Sequence, residues 1–214
     1  MSSQSPAPKP SDSMRVARFR LVAAIFAVIL IAAAAGILAY AFRQDPGRPG
    51  AALSSMIGGP FHLVDQNGKP FTEADLKGKW HLVFFGYTHC PDVCPTTLNE
   101  LSLAVDHIGK KGSAEIGIVF ISVDPDRDTP DVLKSYVSSF DAPITALSGT
   151  DAQVKQVASD YRVYYAKHPR EDGGYDMDHS AIIYVMDPEG RFTATLTPDE
   201  AAPDIEARLQ KLIS

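Results

Sequence analysis

Cys90 and Cys94 are the only cysteines in this 214-residue chain, and they sit in the stretch Gly86-Tyr-Thr-His-Cys90-Pro-Asp-Val-Cys94-Pro-Thr. At this spacing, around the start of a helix, two sulfurs lie on nearly one face, so both can reach a single metal ion or each other. The apolar run Leu82-Val83-Phe84-Phe85 precedes them and a helical pattern follows, which makes the segment a strand-to-helix turn. Pro95 is predicted to open the helix, where its missing N–H has no partner to lose. The positive end of that helix favours thiolate, the form that attacks disulfides and binds metals. A disulfide closing so few residues constrains the unfolded chain little, so a purely structural bridge is a poor use of the pair. Inert buried thiols fit poorly beside Thr88, His89 and Asp92. Metal binding and redox exchange remain.

A third ligand would separate the two, and there are six histidines. His62 and His81 fall in strand patterns, His107 lies on the helix after the cysteines, and His168 sits in a polar segment where solvation is the ordinary reading. His89 adjoins Cys90 but is expected to point away from it. His179 ends the polar, Gly/Pro-containing segment 164–178, which reads as an irregular loop, and opens the strand 180–186. It reaches the cysteine end of a parallel sheet only if that strand runs antiparallel. Met177 offers a soft thioether nearby, although a methionine in a loop is usually no ligand. Asp124 and Asp128 could orient a ligand or attract a cationic partner; helix capping is the competing role, and the stronger one for Asp128.

Several elements must position these groups. Asn67-Gly68 between apolar flanks marks a hairpin, and Trp80–Phe85 reads as the strand feeding the cysteine turn. Leu98, Leu101, Val105 and Ile108 repeat at helical spacing, and the continuous apolar run 116–123 has the character of a buried parallel strand. Strand, helix and strand form a βαβ unit with a right-handed crossover. Further helices are expected over about 131–140, 151–163 and 199–213, with short strands at 144–147, 180–186 and 192–196.

Composition is an ordinary globular mixture, 45% hydrophobic and 21% charged. The first fifty residues carry six basic and two acidic groups, leaving 14 basic against 24 acidic for the rest, a net of −10. Nucleic acid is therefore excluded as a partner of the domain, since phosphate binding needs a basic face. Residues 1–20 read as a disordered cytoplasmic tail and 21–42 as an uncharged transmembrane anchor. Those 22 residues suffice for a hydrocarbon core about 30 Å thick. Residues 43–53 form a linker and 54–214 the folded domain. Arg15, Arg18 and Arg20 before the apolar run place that end in the cytoplasm and the domain on the far side of the inner membrane, in the periplasm. A cleaved signal peptide is the alternative, with a run longer than is usual for one.

The cysteine motif, together with Ser122-Val-Asp124-Pro-Asp-Arg127-Asp128-Thr-Pro and Asp178-His179-Ser180, resembles the Sco/SenC family of copper-binding cytochrome c oxidase assembly proteins. The resemblance runs from about Ser54 to the end of the chain. It implies a thioredoxin-like fold, a central mixed sheet flanked by helices, behind one N-terminal transmembrane helix. It also implies that Cys90, Cys94 and His179 are the copper ligands, that the segment before His179 is mobile, and that Asp124 and Asp178 are candidates for supporting them. Thiolate suits copper(I) and imidazole copper(II), so the set can take either state; zinc would also accept it. The implied function is a membrane-tethered chaperone that takes copper from an upstream donor protein and passes it to the copper-A subunit of cytochrome c oxidase. The competing function is a thiol-disulfide oxidoreductase that reduces the target's cysteines before metal arrives, with Cys90 and Cys94 redox-active. Against it stand the three-residue spacer, where thioredoxin-like reductases use Cys-x-x-Cys, and the lack of a proline before the strand that follows His179. A peroxidase with Cys90 as the peroxidatic thiol is a third and weaker reading.

Overall fold

The computed structural model describes residues 57–213, together with Ile25, residues 29–34 and Gly36, which are helical. The chain divides into two compact units, Met1–Arg48 and Pro49–Ser214. The expected tail 1–20 and linker 43–53 lie outside the described residues, as does most of segment 21–42. No helix among the described residues is long and apolar enough to cross a membrane.

The second unit is built on β3 (Trp80–Gly86), whose six residues after Trp80 are all buried. Such a run alternates faces, so each side of the sheet must be covered. Leu82 and Phe84 enter an apolar cluster with helix residues Leu98, Leu101, Leu133 and Ile205, whereas Val83 and Phe85 enter another with Val157 and Tyr161. The first cluster is supplied by α1 (Val93–His107), α3 (Pro130–Val137) and α5 (Ala202–Leu212), and the second by α4 (Asp151–Asp160). A short α2 (Lys110–Glu115) leads into β4 (Ile116–Ser122).

The seven-stranded sheet has the order β2-β1-β5-β4-β3-β8-β9, with β1 His62–Asp65, β2 Pro70–Thr72, β5 Ile144–Ser148, β8 Ile183–Met186 and β9 Phe192–Leu196. β3, β4 and β5 are parallel, and the strands flanking them pair antiparallel. This is the mixed sheet of a thioredoxin-like α/β fold. Its register does the positioning. Gly86 pairs with Ser122, so the turns that leave β3 and β4 emerge side by side. β8 runs back against β3 with Phe84 opposite Ile183, which brings its entry to the same pole.

The segment expected to be irregular is instead a ribbon of β6 (Tyr165–Pro169) and β7 (Tyr175–His179), paired antiparallel with each other and outside the main sheet. Gly173, at φ 84°, supplies the left-handed turn residue. His179 thus ends β7, and β8 starts only at Ile183. The ribbon has little of the apolar alternation that marks a half-buried strand, because most of its side chains meet solvent. Other boundaries move by a few residues: α3 stops at Val137, three residues short of the expected end, and α5 begins at Ala202 rather than near Asp199.

Candidate metal centre

The helix after the cysteines begins at Val93, two residues before Pro95, so Cys94 lies inside its first turn. Pro95 is tolerated there because N–H groups of the first turn have no intrahelical acceptor. The side chain of Asp92, at the capping position, does not cap the helix. Its role falls to sulfur: the backbone N–H of Cys94 donates to Cys90 Sγ at 3.4 Å. One cysteine therefore caps the helix that carries the other.

Cys94 is fully buried and Cys90 partly so, both as free thiols. The depth of Cys94 depends on Gly86. A Cβ at that position would lie 2.7 Å from Cys94 Sγ and 2.7 Å from a ring carbon of Phe120. On the other side, His179 Nε2 sits 3.4 Å from Cys94 Sγ. The ligand atoms of Cys90, Cys94 and His179 all lie within 4.8 Å of one another, the only such grouping of three or more metal-binding side chains among the described residues. Two sulfurs and one imidazole nitrogen, converging without a fourth protein ligand, suit a soft or borderline metal ion.

The two thiols share a single charge. Hydrogen bonding from the Cys94 thiol holds Cys90 well below the ordinary thiol value against the opposing effect of burial, with further help from His179 and the backbone N–H groups of Cys94 and Asp92. Cys94 moves upward, because it is the donor to Cys90 and because it is buried. Cys90 is the thiolate of the metal-free pair; a metal ion drawing on both sulfurs must displace the proton from Cys94.

His179 is oriented by aromatic edges. Its ring meets Phe84 at 6.2 Å and Tyr87 at 5.7 Å between centroids, both edge-on. Nδ1 is buried and has no hydrogen-bond partner among the described residues. No partner there fixes the ring through Nδ1, as most metal-ligating histidines are fixed. Its pose rests on packing and on the ribbon.

Asp128 does not cap α3; Thr129 does, accepting from Val132 N–H. Asp128 is fully buried and accepts from Thr88 N–H at 3.0 Å, Thr88 Oγ at 2.6 Å and Ser122 Oγ at 2.6 Å. It ties the cysteine turn to the end of β4. Asp124 is also buried, bonded to Arg127 Nε and, at 2.7 Å, to the hydroxyl of Tyr175 on β7. It therefore touches the ribbon rather than a ligand. Asp178 is exposed and pairs with His168 at 2.8 Å, turned away from the three ligand atoms, since it alternates with His179 along the strand. Met177 is buried in the apolar cluster beneath the sheet, and His89 is exposed, its Nδ1 3.1 Å from Thr88 Oγ. Type and spacing give no role to Gly86, Tyr87, Arg127 or Tyr175, and mark Thr88 only as a polar neighbour of Cys90. A glycine closing an otherwise apolar strand directly before a cysteine turn was the available signal for Gly86.

The family model described as SCO1/SenC matches residues 50–214. Protein SCO2, mitochondrial, of Saccharomyces cerevisiae is 48% identical over 147 residues, 67% of this chain and 48% of that protein, so the chain spans about half the length of this relative. An SCO2-like protein of Rickettsia prowazekii is 42% identical over 151 residues, 70% of this chain and 73% of the relative. Among solved structures, ScoI of Bradyrhizobium japonicum with copper bound superposes with a TM-score of 0.68 at 50% identity, covering 72% of this chain and 98% of that one.

Proposed function

The chain belongs to the SCO1/SenC family, and from that premise we propose that it is a copper chaperone, tethered to the inner membrane, that binds copper through Cys90, Cys94 and His179. The observation that carries this reading is the convergence of two sulfurs and Nε2 within 4.8 Å. The copper-bound neighbour at 50% identity supports the choice of metal. Copper is the cargo. It is received where Cys90 and His179 are partly exposed and is held from beneath by buried Cys94. Two thiolates stabilise copper(I), and the imidazole extends the set to copper(II). Three ligands leave a position from which an acceptor's ligand can enter, so capture and release use the same open side.

The acceptor is the copper-A subunit of cytochrome c oxidase, and the donor a copper protein upstream. Segment 21–42 holds the domain at the membrane with residues 1–20 in the cytoplasm and 54–214 in the periplasm, within reach of that acceptor. The asymmetry of the thiols supports a second reading, thiol-disulfide exchange, because the accessible Cys90 is the thiolate and Cys94 waits buried beside it. The test is copper-A assembly in cells that carry this chain as their only copy. A chaperone fails with either His179→Ala or Cys94→Ser. Failure of Cys94→Ser alone, with His179→Ala fully active, replaces the chaperone by the reductase.

A further inference from the structure

The ribbon that brings His179 to the cysteines belongs to no larger sheet, and a two-stranded ribbon is marginal by itself. Met177 anchors the middle of β7 in the apolar cluster beneath the sheet, and the end of the strand at Tyr175 needs a hold of its own. His179 lies at one end of β7 and Tyr175 at the other. The Tyr175 ring lies between two cations, with Arg127 Cζ 3.9 Å from the ring centroid and Lys167 Nζ 3.8 Å from it. Arg127 also donates through Nη1 to the Tyr175 carbonyl at 3.2 Å and through Nε to buried Asp124, which in turn accepts from the Tyr175 hydroxyl. Lys167, from β6, reaches Asp126 in the same turn at 2.6 Å. The Arg127 guanidinium also approaches the Tyr87 ring at 5.8 Å, and Tyr87 packs edge-on against His179.

We infer that Arg127 is a positioning residue for the metal centre, clamping Tyr175 so that β7 holds His179 within reach of the two sulfurs. The inference rests on the copper reading of the site for its consequence, but the clamp exists without metal. Arg127 is suited to it by its fork, which serves Asp124 with one nitrogen and the Tyr175 carbonyl with another while its flat face covers the ring. Lysine at 127 keeps a cation beside Asp124 but cannot make all three contacts. Lys167 lies on the exposed side and should matter less.

Two measurements on the full-length chain test this. In the metal-free protein, Arg127→Lys and Tyr175→Ala should speed amide hydrogen exchange across 165–179 by about tenfold, the scale of losing one charge-assisted contact with its stacking partner, and leave β3 and β4 unchanged. Lys167→Ala should change it by less than threefold. Both clamp variants should also weaken copper(II) binding about tenfold, and neither should weaken it further when His179 is already alanine, since the clamp acts through that ring. Unchanged exchange in the ribbon, or an equal loss of affinity with and without His179, overturns the inference. If the unsubstituted chain binds no copper, the copper reading falls and the exchange data alone decide the clamp. If Arg127→Lys fails to fold, Tyr175→Ala, whose side chain is only partly buried at the edge of the apolar cluster, carries the same expectations.

Discussion

Replacing Gly86 by alanine adds one methyl group where the structure has no room for it. The new carbon would meet Cys94 Sγ and a Phe120 ring carbon, each at 2.7 Å, well inside contact distance. Cys94 and Phe120 are fully buried, so neither can swing into solvent. Gly86 is not among the positive-φ glycines, so alanine is not penalised by the backbone and the whole cost is crowding. Overpacking of this kind costs about 1–3 kcal/mol, and the melting temperature of a domain this size falls by roughly 2–4 °C for each of these. Calorimetry should therefore show a fall of roughly 2–12 °C. The sulfur that must move is one of the three proposed copper ligands, so copper affinity should drop as well. Phe120→Leu in the Gly86→Ala background relieves one of the two clashes, and the pair should cost less than the sum of the single changes. A Gly86→Ala protein with unchanged melting temperature and copper affinity would refute the claim that this glycine makes room for Cys94.

Asp128→Ala removes the acceptor of three hydrogen bonds, two of them from Thr88, and should destabilise the domain by about 2–4 kcal/mol in denaturant titration; a loss under about 0.5 kcal/mol would mean the turn is not held there. His81 is buried beside Lys79, and burial pushes its pKa down to about 4. The unfolded chain takes up the proton near pH 6.5, so stability is full above that value. It falls as the pH drops from about 6.5 to about 4, by up to about 3 kcal/mol. His81→Gln should flatten stability over that window, and an unchanged slope would contradict the assignment. Iodoacetamide at neutral pH should alkylate Cys90 at least tenfold faster than Cys94, because Cys90 is both reachable and the thiolate; peptide mass spectrometry showing Cys94 modified first would reverse the roles given to the two sulfurs.

The parts of the fold that repeat a hydrophobic period were readable from the chain. β3, β4 and α1 bury continuous or helically spaced apolar residues, and their apolar spacing reflects that burial. The β6–β7 ribbon was not readable, since Lys167, His168, Asp176 and Asp178 face solvent and obey no period that burial would impose. The start of α1 was misplaced for a related reason: its cap is a cysteine sulfur, and cysteine is not a residue whose presence marks a helix start. The two cysteines and His179 could be proposed from type, place and family motif, and the antiparallel β8 that His179 required is present. What spacing could not convey was the clamp around Tyr175, because Arg127 and Tyr175 are far apart in the chain and meet only through the ribbon's fold.

As proposed, Cys90, Cys94 and His179 hold one copper ion together. Titration of the full-length protein with copper(II), followed by its optical and electron spin resonance spectra, tests that ligand set. A sulfur-to-copper charge-transfer band should reach its maximum at one equivalent and disappear in each of Cys90→Ala, Cys94→Ala and His179→Ala. A band that survives intact in the His179→Ala protein, with unchanged affinity, would contradict it.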